Sequence, residues 1–178
     1  MTETFGGYDA LDETKIETRD SDGAELSLLE ELEAELDAEI TNVVRFAVPN
    51  RPGWVLEFNA VIGAPAIKRY NATATGKGKP ENADGRISNG MALLETNTGI
   101  LKERNGELVR LTDPDTGGDL KLNSTRWLKM MKEPTTNPNA VRALCRFMDD
   151  SGVIAMGGSV LRAAGWAEDL TPLDPTDG

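Results

Sequence analysis

The chain contains no histidine and a single cysteine, Cys145, in 178 residues. The first absence removes the commonest general base and the commonest zinc ligand, so neither a Ser-His-Asp triad nor a Cys-His dyad can be built from this chain. The second rules out an intrachain disulfide and makes a reducing cytoplasm the expected setting. Aromatic residues reach only 5% and apolar residues 39%, lean for a chain packed over its whole length. No stretch approaches the ~18 apolar residues of a membrane span, and the N-terminus has no basic segment followed by an apolar run, so neither membrane insertion nor export is expected. Basic clusters are missing as well. A nucleic-acid surface needs Lys and Arg gathered on one face, whereas here they are scattered, and no nucleic-acid partner is expected.

Acidic residues are plentiful and unevenly placed. The formal charge is -11; residues 1–40 carry 14 acids against Lys15 and Arg19, residues 167–178 carry four acids and no base, and residues 41–166 are left at +5. A mildly basic body lies between two acidic ends. Residues 1–22 are expected to be a disordered acidic leader, solvated rather than folded back on the body. Residues 23–41 are expected to form an acidic amphipathic helix. Asp22 stands three before Glu25 in capping-box spacing, and Leu29, Leu32, Leu36 and Ile40 recur at helical steps. That stripe either docks on the chain's own core or is held out for another protein's groove. Docking is favoured because the helix abuts the first strand without a linker. Residues 42–166 are expected to be a globular α+β domain, and residues 167–178 a flexible acidic tail.

The domain opens on the stretch from Val43 to Phe58. Val44, Phe46 and Val48 alternate with Arg45 and Ala47, and after Pro49-Asn50-Arg51-Pro52-Gly53 the residues Trp54, Leu56 and Phe58 alternate with Glu57; this predicts a hairpin of half-buried strands. Pro65 suits the start of a short helix running to about Ala72, followed by a polar loop over 75–85. A long central helix is predicted from about Arg86 to Arg104, with Ile87, Met91, Leu94, Thr98 and Leu101 on one face. Gly90 and Gly99 inside it imply close packing or a kink. Asn105-Gly106 ends it and leads into a strand, Glu107 to Leu111, paired with Leu120 to Leu122 as a second hairpin. Short helices follow over TRWLKMMKE and NAVRALCRFM, the latter broken at Asp149-Asp150-Ser151-Gly152. Val153 to Met156 reads as a short strand, and Ser159 to Ala164 as a last helix closed by Gly165. The expected fold is thus α+β, small antiparallel hairpins packed with several short to medium helices, in one domain with disordered acidic termini.

Motifs that bring chemistry do not complete. Asp113, Asp115 and Asp119 with Gly118 superficially match a calcium loop, but Gly117 and Ser124 occupy positions that need ligands, so a hairpin turn is expected and no metal. Gly76-Lys77-Gly78-Lys79-Pro80 fails P-loop spacing and meets proline where a helix should open. Gly157-Gly158 lacks the further glycine of a dinucleotide fingerprint and reads as a tight turn. Cys145 falls on the apolar side of its helix and reads as a buried small hydrophobe. No catalytic residue and no cofactor is expected.

Four segments together resemble the tail assembly chaperones of siphophages that infect actinobacteria. They are Arg51-Pro52-Gly53-Trp54 behind an acidic leader, MALLETNTGILKER followed by Asn105-Gly106-Glu107-Leu108-Val109, STRWLKMM, and AVRALCRFMDDSGVIAMGGSVLRAAGW. The resemblance spans about residues 42–166 and departs from the family at the long Lys/Gly-rich loop over 71–85. It implies a non-enzymatic protein of the host cell cytoplasm that binds the tape measure protein, keeps its apolar helices soluble and helps tail tube protein polymerise around it. It also implies a longer frameshifted product, for which the acidic tail from Glu168 to Gly178 would suit the junction. The candidate partner-binding residues are Leu29, Leu32, Leu36, Trp127, Met130 and Met131, because Met repacks around varied partners. For the methionines and tryptophan, ordinary core packing competes. Homo-oligomerisation stays open, as do a virion structural (tail or connector) role and a regulatory role on a host protein.

Overall fold

The computed structural model of the protein describes residues 27–166, the side chains of Asn137 and Pro138 excepted. The expectations for the leader and the tail lie outside the described residues. Contacts divide the described residues into two units, the first ending at Ile40 and the second beginning at Thr41.

In the first unit, helix α1 (Leu28–Asp37) begins at a capping box formed by Ser27 and Glu30. The Glu30 amide donates to Ser27 Oγ at 3.3 Å and the Ser27 amide to Glu30 Oε2 at 2.8 Å, so two amides that the first turn leaves free are satisfied. The helix is therefore shorter than residues 23–41, and the box predicted at Asp22 and Glu25 lies outside the described residues. None of its residues is buried.

The second unit is an α+β body built on one antiparallel sheet in the order β1-β2-β3-β4. Strand β1 (Val43–Ala47) pairs with β2 (Trp54–Asn59), β2 with β3 (Asn97–Arg104), and β3 with β4 (Glu107–Arg110). The predicted first hairpin is present. Asn50 and Gly53 take positive φ (59° and 76°) in its turn, conformations that Asn and Gly adopt at the least cost. Val44, Phe46, Leu56, Phe58 and Ile100 join one core with Leu93, Leu144, Met148, Val153 and Val160 from the helices.

The central helix is shorter than predicted, 12 residues in place of the span from Arg86 to Arg104. Helix α3 (Gly85–Thr96) ends at Asn97, and Thr98 to Arg104 continue as β3. Long-range hydrogen bonds outweigh the helical spacing here. Asn97 Nδ2 donates to the carbonyls of Glu57 and Gly99, and its Oδ1 accepts from the Leu122 amide, so leaving the helix satisfies three buried groups. Asn105-Gly106 is accordingly a two-residue hairpin turn, with φ of 53° and 81°. Strand β4 pairs with β3 and not with Leu120 to Leu122, which form no strand; a single bridge, Thr112 to Asp119, closes the expected turn.

Helix α2 (Ala64–Thr75) carries Pro65 in its first turn as expected and runs three residues further than Ala72. Helix α4 (Thr125–Met130) is capped by Ser124, whose hydroxyl accepts from the Trp127 amide at 3.2 Å. Helix α5 (Asn137–Ala163) absorbs the segment predicted as a strand: Val153 to Met156 are helical. A four-residue apolar run has no period of its own, and helical neighbours on both sides decide its state. The predicted break does occur, at Asp149 (φ 61°, ψ 171°), dividing α5 into residues 137–148 and 150–163. Asp149 Oδ1 accepts from the Gly152 amide at 2.6 Å and caps the second segment, while Arg51 Nε donates to the carbonyl of Phe147 at the end of the first. Gly165, at φ 81°, closes α5: its amide donates to Arg162 and that of Trp166 to Leu161, a Schellman arrangement.

Helices α3 and α5 cross closely. A Cβ at Gly90 would stand 3.0 Å from Val141 Cγ1, and one at Gly157 only 2.8 Å from Asn89 Cα. Gly90 thus meets the expectation of close packing. Gly157 holds a helix crossing and not the predicted tight turn.

Candidate partner-binding cleft

Between α2, α3 and the first segment of α5 lies a cleft of about 600 Å³. Its floor comes from two helices, Ile87 and Met91 one turn apart on α3 and Val141 and Cys145 one turn apart on α5. Helical spacing places each pair on one face, and the close crossing at Gly90 brings the pairs together. Arg69 and Thr73 of α2 form the far wall.

Charged groups around this floor are spent on one another. Arg86 donates from Nη2 to Asp84 Oδ2 at 2.7 Å and from Nη1 to Asp150 Oδ2 at 2.9 Å. Arg69 pairs with Glu95 at 2.5 Å, and Glu95 also accepts from the buried Tyr70 hydroxyl at 2.8 Å. The Arg86 hydrogen bond holds the Asp84 carboxyl below the usual range, and burial followed by the Glu95 carboxylate raises the Tyr70 hydroxyl. Cys145 is half-buried, not fully buried as expected, and its thiol is pushed up to about 11 by burial and by Asp150. It therefore carries almost no thiolate at neutral pH. What this arrangement offers a visitor is apolar surface and paired charges.

A second ionic cluster lies on the sheet. Glu57, 4% exposed, accepts at Oε2 from Arg45 (2.8 Å) and at Oε1 from Arg110 (2.5 Å) and Thr98 Oγ1 (2.9 Å). Burial works to raise this carboxyl, but hydrogen bonds from Arg110, Arg45 and Thr98 prevail and hold it at about 2. Arg110 reaches Glu57 across Gly99, where a side chain would collide with its guanidinium. Strand alternation sets Glu57 on the face opposite Leu56 and Phe58. Arg45 stands directly opposite it in the hairpin register, the one signal in the sequence that the pair exists.

The six residues expected to bind a partner are dispersed. Leu29, Leu32 and Leu36 lie on α1 at 64%, 50% and 74% exposure. Met130 is exposed, and Met131 is half-buried against the core. Trp127 is a correction: at 3% exposure it is part of the core, edge-on to Phe147 at a centroid distance of 4.9 Å, with no partner for its indole N–H among the described residues. Met148 and Met156 are core residues as well. Trp127, Met130 and Met131 do not line the cleft, and the cleft's own lining was not foreseen as a site. Among the described residues no group of three or more Cys, Asp or Glu side chains is placed to hold a metal ion, and no helix is long and apolar enough to cross a membrane. No family model, curated protein or solved structure matches the chain.

Proposed function

We propose that the protein is a tail assembly chaperone that binds the tape measure protein in the host cytoplasm and assists tail tube polymerisation, working by contact and without a bond-making step. The reading starts from the sequence resemblance over residues 42–166. The observation that supports it on the molecule is the cleft, whose apolar floor and self-paired rim suit protein contact. Co-expression with the tape measure protein tests it. The partner should move into the soluble fraction with this chain present; a partner equally insoluble with and without it would sink the reading.

One observation favours a second reading, a virion component. Strand β4 is a sheet edge and carries Leu108 and Val109 at 42% and 45% exposure, an edge through which copies or partners could extend the sheet. Its retention in purified particles would favour this reading over a chaperone, which should be absent from them.

A further inference from the structure

We infer that the cleft between α2, α3 and the first segment of α5 receives one amphipathic helix of a partner protein, apolar toward the floor and near-neutral along its flanks. The inference rests on the partner-binding reading above and supplies the surface and the kind of segment it takes. Ile87 with Met91, and Val141 with Cys145, form two ridges of residues four apart on neighbouring helices. Ridges of this kind flank the groove into which a third helix packs. Beneath them α3 and α5 are in direct contact at Gly90 and Val141, so the floor is firm. The space above it, about 600 Å³, is large enough for several apolar side chains.

Charge selects the occupant. Arg86 is already shared by Asp84 and Asp150, and Arg69 is held by Glu95. A strongly acidic segment would have to displace those carboxylates, and a basic one would find each acid occupied. Either exchange costs existing pairs for new ones of similar strength. An apolar face with few charges beside it loses nothing on entry. Arg142 is the least engaged cation of the rim, 3.6 Å from Glu133, and tolerates one acid on the incoming helix.

Cys145 makes the test direct, because the only thiol of the chain lies in the floor and its alkylation rate reports occupancy. The probe is a neutral Leu/Ala/Gln peptide of ~18 residues, long enough to be helical, added to the full chain. It should slow Cys145 labelling by about tenfold at saturation, whereas a Glu-rich peptide of the same length should not. Met91→Glu, at a half-buried position, should abolish the protection with an unchanged thermal melt; Ile87→Gln serves if that melt is lost. Equal labelling with and without the neutral peptide overturns the inference, as does protection that survives either substitution. Slow labelling of the free chain that Leu32→Glu accelerates also overturns it, since the groove would then hold the chain's own α1. Protection without solubilisation of the tape measure protein leaves the groove and removes that partner. Solubilisation without protection keeps the partner and moves the contact elsewhere.

Discussion

The cleft and the Glu57 cluster use the same side chains, arginines and carboxylates, to opposite ends. At Glu57 the side chain is 6% exposed, both carboxylate oxygens are occupied, and the two arginines lie across the sheet as a clamp. At the cleft, Arg86, Asp150 and Glu95 are each more than 40% exposed on their side chains and stand around a floor that nothing in the body covers. Ion pairs are similarly short in both places. Burial of the carboxylate separates them: one cluster ties strands together, and the other keeps the entrance to an apolar groove electrically quiet.

The largest test of that contrast is Glu57→Ala. Breaking a buried ion pair typically costs about 3–5 kcal/mol, because the surviving charges lose their partner. Arg45 and Arg110 both reach water, so a loss near the lower end, about 3 kcal/mol, is expected from urea denaturation. A loss indistinguishable from zero would make the clamp an ornament of the surface and erase the distinction.

Next comes pH. The Glu57 carboxyl is lowered on folding from 4.5 to about 2, so the stability it contributes is complete above pH 4.5 and disappears as pH falls through that interval. The shift corresponds to roughly 3 kcal/mol. Unfolding of the wild type should therefore become easier between pH 4.5 and 2 by up to this amount, and Glu57→Gln should remove most of that slope. An equal slope in the variant would place the acid sensitivity on other carboxylates.

The contrast also explains what could be read in advance. The first hairpin was legible because Val44, Phe46, Leu56 and Phe58 obey period two and the turn residues between them suit positive φ. Arg45 opposite Glu57 was legible in principle from that register. Arg110 was not, because it is brought to Glu57 by β3 and β4, and β3 itself was hidden in a helical pattern. Ile87, Met91 and Leu94 do share a helix face as predicted, but Thr98 and Leu101 belong to a strand. What ended the helix was Asn97 bonding to Glu57 and Leu122, partners 40 and 25 residues away. The cleft was unseen for the same reason. Its floor is ordinary amphipathic sequence on α3 and α5, and only the crossing at Gly90 and Gly157 turns two helix faces into one groove. Trp127 stands among the candidate partner residues on residue type with core packing as its rival, and a single short helix does not tell a core anchor from a docking residue.

The smallest expected effect is at Arg86→Ala, and its smallness carries the argument. Arg86 makes more charged contacts than any other residue of the rim, with Asp84 at 2.7 Å and Asp150 at 2.9 Å, so a count of ion pairs would rank it beside Glu57. Its side chain is 46% exposed and that of Asp150 56%, so water replaces each lost bond and salt already screens the attraction. The thermal midpoint of Arg86→Ala should match the wild type closely, and added salt should narrow what difference remains. The substitution also leaves Asp84 and Asp150 without their shared cation, turning a neutral entrance acidic. Binding of the neutral helical peptide should then persist, while a lysine-rich analogue that the wild type ignores should begin to protect Cys145. A large drop in melting temperature would show that the rim braces the fold as Glu57 does, and the two clusters would no longer differ in kind.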